Sequence, residues 1–348
     1  MTTAPSPTPT HPQPEPPGSA TLPLAGRVVM VTGVSRRAGI GYAIACRAAQ
    51  MGASLFLQHF APHDAAQPWG ADDVAAVVEG VRSHLVVGAG VAHAEADLAD
   101  PTVPAALVRQ AVNELGDLNA LVCNHAASGH DGTLTQVTAT DLDHHWQVNA
   151  RSSLLLVQAL AEHRRHSASP PCDAAPTPDI TSVTDAAPVM SAQPSTSTQP
   201  TQAITPAQPT APASHAAACR TAVPVQVPAR REGPELATAV VLMTSGQGEG
   251  PMPGEIAYAT SKAALAGITP SLAAGLAEEG IRLNTVNPGP VDTGYMSPEL
   301  IAALTPRFPG GRMPTTADPA RLITWLLTDE AAWVTGQVIS TEGGFRRS

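Results

Sequence analysis

Three side chains carry the strongest chemical signal in the chain. Ser245, Tyr258 thirteen residues later and Lys262 four beyond that stand in the text TSGQGEGPMPGEIAYATSK. On a helix, positions i and i+4 share a face, so the Lys262 ammonium can lie beside the Tyr258 ring. A neighbouring cation favours phenolate, which should bring the tyrosine pKa down from about 10 and make Tyr258 a usable general acid. Ser245 follows an apolar run, Ala239 to Met243, so its hydroxyl is expected at the carboxyl edge of a sheet, where open α/β proteins hold ligands. From there it can hydrogen-bond an oxygen that gains negative charge during reaction.

A second signal lies near the start. The apolar run Arg27 to Thr32 (RVVMVT) leads into TGVSRRAGIG, residues 32–41, and then into a helical pattern with Ile40, Ile44 and Ala48 on one face. Glycines let the backbone turn tightly against a pyrophosphate, and a helix N-terminus offers unpaired N–H groups and the positive end of a dipole. The turn nominates Gly33, Ser35, Arg36, Arg37, Gly39, Ile40 and Gly41 as contacts of a phosphate-bearing dinucleotide. Such sites discriminate at the end of the second strand, where a carboxylate would bond a ribose 2'-hydroxyl. Here that strand ends Leu57-Gln58-His59 without a carboxylate, and Arg36 and Arg37 can pair a 2'-phosphate. NADP(H) is therefore favoured, with NAD(H) left open. His59 reads either as a solvent-facing strand end or as an adenosine contact.

Both signals need a sheet to position them. Short β-branched runs alternate with helical periods: strands at 27–32, 54–57, 91–95, 120–123, 239–243, 283–286 and 338–340, and helices over about 40–51, 71–83, 102–115, 138–163, 256–279 and 318–328. That alternation predicts an α/β fold, a doubly wound parallel sheet covered on both faces. Proline collects elsewhere, with 8 of the 35 in residues 1–23 and 12 in residues 167–230. These stretches mix Pro, Ser, Thr and Ala and lack the apolar groups to offset the entropy of ordering. The reading is a disordered tail at 1–23, one domain made of 24–166 and 231–348, and a low-complexity insertion at 167–230.

Several classes are excluded. With a formal net charge of −10 and few basic clusters beyond Arg164-Arg165, the chain lacks the footprint of a nucleic-acid binder. It shows neither a basic leader with an apolar core nor a run of about 18 apolar residues, so a cytoplasmic protein without membrane attachment is expected. Cys46, Cys123, Cys172 and Cys219 lack C-x-x-C spacing and read as two buried thiols and two thiols of the insertion. His144 and His145 stand near Asp141 and Asp143, but adjacent helical residues point about 100° apart, so no metal is expected. Tyr295 to Met313, rich in Pro and Gly, suits a lid.

Taken together, these motifs resemble those of the short-chain dehydrogenase/reductases, and within them the 3-oxoacyl-acyl-carrier-protein reductases, over about 24–166 and 231–348. The resemblance implies a Rossmann-type fold and further site residues. Asp97 and Leu98 in EADLAD would flank the adenine. Asn124-His125-Ala126-Ala127 stands where the family has Asn-Asn-Ala-Gly, nominating Asn124 and Ala126. Pro288, Gly289, Val291 and Thr293 would hold the nicotinamide. Asn149 in WQVN would complete a catalytic tetrad with Ser245, Tyr258 and Lys262, holding a water that relays protons toward Lys262. Lys262 and Tyr258 would also touch the cofactor, Tyr258 would donate the proton and Ser245 would orient the carbonyl.

The implied substrate is a small-molecule or carrier-bound 3-oxoacyl thioester. The alternatives are a sugar, steroid or small ketone, or an NADP-binding sensor or scaffold that recruits a partner through the proline-rich insertion. The implied assembly is a homodimer or homotetramer through the helices near 138–163 and 256–279. Two departures stand out: five residues separate Gly33 from Gly39 where the family's common form has three, and His125 and Ala127 replace Asn and Gly.

Overall fold

The apolar runs form strands because both of their faces can be buried. The computed structural model describes residues 22–168 and 237–347. In it β1 (Val28–Val31) and β5 (Thr238–Met243) are buried at every position. With them stand β2 (Ser54–His59), β3 (Val91–Glu95), β4 (Leu118–Cys123), β6 (Ile281–Asn287) and β7 (Val338–Ser340). All seven pair in parallel in the order β3-β2-β1-β4-β5-β6-β7. The direction of winding reverses between β1 and β4, the place where such sheets open a ligand crevice. β4 and β5 are neighbours, so the stretches before residue 169 and after 236 share one sheet. Apart from their outermost residues, the expected tail and insertion, with Cys172 and Cys219, lie outside the described residues.

Alternation along the strands divides the core in two. Val29 and Val31 face a layer built from α1 (Ile40–Gln50), α3 (Val74–Arg82) and α9 (Ala317–Leu326), which contribute Ile44, Val77, Val81, Ile323 and Leu326. Met30 and Phe56 face α4 (Val103–Leu115), α6 (Ser152–Ala168) and α7 (Ile256–Leu276), which contribute Leu107, Leu156, Leu160 and Leu265. Each fully buried large apolar side chain contributes about 1.5–3 kcal/mol of transfer free energy. Cys46 and Cys123 are free buried thiols, one in each layer.

One charge is buried with a structural task. Arg282 is 2% exposed and donates to the carbonyls of Leu326 and Thr328, closing the C-terminal end of α9, where a cation is favoured. Burial, with Arg27 adding to it, pushes its pKa down to about 10.

Three elements differ from the sequence-based reading. The helix expected over 138–163 is α5 (Ala139–His145), then a widened π turn at Trp146–Arg151, then α6. Short helices α2 (Ala61–Ala65) and α8 (Pro298–Leu304) fill a stretch read as a connection and part of the stretch read as a lid, because Pro at the first turn and, for α8, a Ser297 cap make a brief helix competent. Among the described residues no helix is long and apolar enough to cross a membrane.

Candidate active site

The crevice at the switch point is closed by backbone contacts that tolerate no side chain. Gly33 has φ +71°, and a Cβ there would stand 2.8 Å from His125 Cα. A Cβ on Gly41, in the first turn of α1, would stand 2.6 Å from both Asn124 Nδ2 and Gly33 O. Asn124 binds the turn to the end of β4: its Nδ2 donates to Thr32 O at 3.1 Å and to Gly33 O at 3.3 Å. Gln58 reaches across three strand ends, accepting from Gly33 N at 2.9 Å and donating to Ala96 O at 2.8 Å. The N-cap of α1, Gly39, offers no side-chain cap, and the first turn carries no acid, so its N–H groups are available to an anion.

A cleft of about 260 Å³ opens here. Gly33, Ser35, Arg36, Gly39, Ile40, Asp97, Leu98, Asn124, Ala126 and Thr293 line it, all nominated from sequence. A glycine turn over an uncapped helix N-terminus, continued by Asp97 and Leu98, fits the pyrophosphate and adenosine of a dinucleotide. Gln58, Phe60, His63, Asp64, Trp69, Ser128 and His144 also line it and were not foreseen. Asp64 is 8% exposed, accepts from Ser35 Oγ and from Trp69 Nε1 at 3.2 Å, and has the Arg36 guanidinium 4.0 Å away. Arg36 also donates to Thr293 O at 2.8 Å and lies 5.4 Å above the Trp69 ring. One arginine thus joins the phosphate turn to the loop after β6.

Two nominated residues point elsewhere. His59 is not solvent-facing and does not line the cleft: it is 3% exposed, and its Nε2 meets His93 Nδ1 at 3.1 Å. Successive strand residues face opposite ways, so Gln58 and Phe60 take the cleft side. Burial and then His93 push the His59 pKa down, opposed by Glu95. Arg37 turns outward to Asp72, which pairs with its Nε at 3.4 Å and accepts from its backbone N at 2.7 Å. Gly41 serves by close packing, and Pro288, Gly289 and Val291 lie outside the lining, Gly289 taking φ +77° against Glu342.

The chemical end lies where β5 runs out. Thr244 Oγ1 donates to Lys262 O at 2.9 Å, which seats α7 against the strand end. Lys262, 2% exposed, donates from Nζ to Met243 O at 3.0 Å and stands 5.8 Å from the Tyr258 ring centroid. The one-turn spacing therefore places amine beside ring as expected. Burial pushes the Lys262 pKa down to about 8, against a small opposing effect of Cys123. The expected lowering of the Tyr258 pKa is not met. Burial raises it, the hydrogen-bonded Ser245 hydroxyl works against the rise, and Glu255 adds to it. Desolvation of the phenol decides the sign, and the Lys262 amine donates to Met243 O.

Asn149 sits in the π turn, fully buried. Its Oδ1 accepts from Ala127 N at 2.6 Å and its Nδ2 donates to Ser261 Oγ at 2.9 Å. Widened turns of this kind occur frequently at functional sites. His125 explains its own departure from the family pattern. Its Nε2–H donates to Val148 O at 3.0 Å, so Nδ1 accepts from Thr32 Oγ1 at 2.6 Å, and the ring ties β1 to the π turn. Burial, with Lys262 beside it, pushes its pKa down to about 3. His144 lines the cleft while His145 turns inward toward Asp131. Among the described residues no group of three His, Cys, Asp or Glu side chains is placed to hold a metal.

Comparisons with known proteins agree with this geometry. A family model described as enoyl-(acyl carrier protein) reductase matches residues 33–170 and 186–346. The chain is 30% identical over 321 residues to an uncharacterized oxidoreductase, YjdA, of Bacillus subtilis, covering 92% of this chain and 97% of that one. It is 33% identical over 118 residues to the 3-oxoacyl-[acyl-carrier-protein] reductase FabG of Escherichia coli, a match that covers 33% of this chain and 46% of FabG. Among solved structures, a short-chain dehydrogenase/reductase from Serratia marcescens superposes with a TM-score of 0.64 at 27% identity, covering 93% of this chain and 99% of that one. A switch-point cleft shaped for a dinucleotide, a serine, tyrosine and lysine near the end of β5, and this likeness along nearly the whole chain have one account. The protein belongs to the short-chain dehydrogenase/reductase family and is an oxidoreductase of the kind that works with a nicotinamide cofactor.

Proposed function

We propose that the protein is an NADP(H)-dependent reductase of carbonyl groups, with a 3-oxoacyl thioester as its substrate. The observation that carries the reading is the placement of the Tyr258 phenol where the Ser245 hydroxyl works on its acidity and the Lys262 amine stands 5.8 Å from its ring. Two neighbouring hydroxyls suit a single oxygen that becomes charged, as a carbonyl oxygen does when hydride adds to its carbon. When bound, the dinucleotide supplies or accepts the hydride. Ser245 orients the substrate oxygen, Tyr258 delivers the proton to it, and Lys262 returns a proton to the phenolate, resupplied from the Asn149 side. A phenol raised by burial is an acid that stays protonated until the oxygen demands it.

Arg36 is the guanidinium that lines the cleft, and no carboxylate stands at the end of β2, which favours a 2'-phosphate. Asp64 keeps Arg36 oriented toward the turn. The partial likeness to FabG supports the thioester. A homodimer or homotetramer through α5, α6 and α7 accords with the exposed Leu142 of α5, Trp146 of the π turn and Ile268 of α7.

The test is NADPH oxidation across acetoacetyl and crotonyl thioesters, diketones, quinones and sugars. The acetoacetyl thioester should be fastest and the crotonyl thioester inert. A faster sugar or small ketone would move the protein among the general carbonyl reductases, and cofactor binding without oxidation by any of them would favour a sensor. NADPH should bind more tightly than NADH, and Arg36→Ala should remove the difference; equal affinities in the native chain would end the case for a 2'-phosphate site.

A further inference from the structure

Tyr258 is the third residue of α7, where N–H groups have no partner within the helix. The N-cap of that helix, Glu255, makes no side-chain bond to them. The partner comes from the loop after β4, 126 residues earlier: Asp131 accepts from Ala257 N at 2.9 Å through Oδ1 and from Tyr258 N at 2.7 Å through Oδ2. Gly132 O takes the remaining first-turn N–H, that of Ile256, at 3.2 Å. The carbonyl of Tyr258 is held as well. Ser261 Oγ donates to it at 2.7 Å while accepting from Asn149 Nδ2 at 2.9 Å.

His145 closes the circuit between these two anchors. Its Nε2–H donates to Gly129 O at 3.0 Å, so Nδ1 is left to accept from Asn149 Nδ2 at 3.3 Å. Nε2 is also 4.0 Å from Asp131 Oδ2, and the ring stands edge-on to the Tyr258 ring with centroids 6.1 Å apart. Both side chains are dry, His145 at 1% and Asp131 at 9% exposure. A capping carboxylate contributes little beside the packing of a 21-residue helix, so its effect is local. What it fixes is the depth and rotation of the first turn, and the first turn carries the phenol.

Resting on the reductase reading above, we infer that Asp131 is a positioning residue which, with His145, holds the backbone of Tyr258 and the amide of Asn149 in one frame. The phenol then stays in register with Ser245. Misplacement of a reacting group by about 1 Å costs on the order of 100-fold in rate.

The experiment uses the full chain with Asp131→Ala, Asp131→Asn, His145→Phe and His145→Gln. Amide exchange in residues 256–260 should quicken at least tenfold in Asp131→Ala while 262–276 keeps its rate; unaltered exchange at 256–260 overturns the inference. With acetoacetyl thioester, kcat should fall about 100-fold in Asp131→Ala, with KM and NADPH affinity moving less than about threefold. Asp131→Asn keeps one acceptor but sets an N–H against a donor, so its kcat should fall between. His145→Gln, which can still donate to Gly129 O, should retain more kcat than His145→Phe. A merely structural role would lower the yield of folded protein and leave kcat per bound NADPH intact, which would overturn the proposal. Should Asp131→Ala not fold, the His145 pair decides the rate and Asp131→Asn the exchange. If the native chain reduces no carbonyl, it is the reductase reading that fails, and exchange alone judges Asp131.

Discussion

At the phosphate end of the cleft, Gly33 and Gly41 bring backbone against backbone, and the partners that hold them, Thr32, Gln58 and Asn124, sit at the ends of adjoining strands. At the chemical end, Tyr258 and Lys262 come from one turn of one helix, yet their surroundings are side chains from the loop after β4 and the π turn and a backbone carbonyl at the end of β5. The first region works by having no side chains in the way, so it is sensitive to added volume. The second works by dry polar groups that complete one another, so it is sensitive to losing a hydrogen bond or a charge. Substitutions at the two ends should therefore fail differently.

The largest effect is expected from Tyr258→Phe, which removes the proposed proton donor and leaves the cleft alone. It should lose about 10²–10⁴-fold in kcat/KM with cofactor affinity within threefold. A native rate in this variant would dissolve the distinction between the two ends.

Lys262→Met tests the cost of the buried charge. Burial lowers the amine pKa to about 8 from an ordinary 10.5. A base whose folded pKa is lowered costs stability below pH 8, because the charged amine is held dry, and the cost fades as pH rises to 10.5 and the amine is neutral in both states. The variant should therefore be inactive yet more stable at pH 7, by up to about 3 kcal/mol, the gain disappearing near pH 10.5. Denaturant unfolding at both pH values reads this. A variant less stable at pH 7 would show that the bond to Met243 O outweighs desolvation.

Gly41→Ala adds a methyl group at the other end. With 2.6 Å to Gly33 O and Asn124 Nδ2, overpacking of about 1–3 kcal/mol is expected. NADPH affinity should fall about tenfold or more, while kcat at saturating cofactor stays within about twofold. A kcat defect with intact affinity would contradict the division of labour.

His125→Asn tests the ring that links the two ends. His125 titrates near 3 when folded and about 6.5 when unfolded. As pH falls below 6.5 the unfolded chain takes the proton first, so stability is lost at up to about 1.4 kcal/mol per pH unit until about pH 3. The asparagine variant should show a flatter acid limb in unfolding midpoints between pH 6.5 and 4. An unaltered limb would mean that another group dominates.

Much of this architecture was legible before any coordinates. All seven strands lie where the short apolar and β-branched runs predicted, most plainly the inner ones, because strands buried on both faces must be largely apolar. The glycine turn and the Tyr258–Lys262 pair were legible because each is defined within about one helical turn of sequence. His59 was misread because strand-end pattern does not say which face a residue takes when both faces are buried. The π turn was hidden inside a helical period, since one extra residue in a turn barely disturbs apolar spacing. Asp131 left no mark at all: a single Asp before Gly-Thr carries no spacing that points to a helix 126 residues away.

The amino-acid order alone determined which reactive groups exist, that they lie at strand ends of a parallel sheet, and that amine and phenol share a helix face. These follow from local periodicity and side-chain type. The fold decided which of those groups are dry, which cations are already paired, and what fixes the tyrosine in place. It did so because desolvation and hydrogen bonding depend on every group that comes within a few ångströms, and most of those neighbours are remote along the chain.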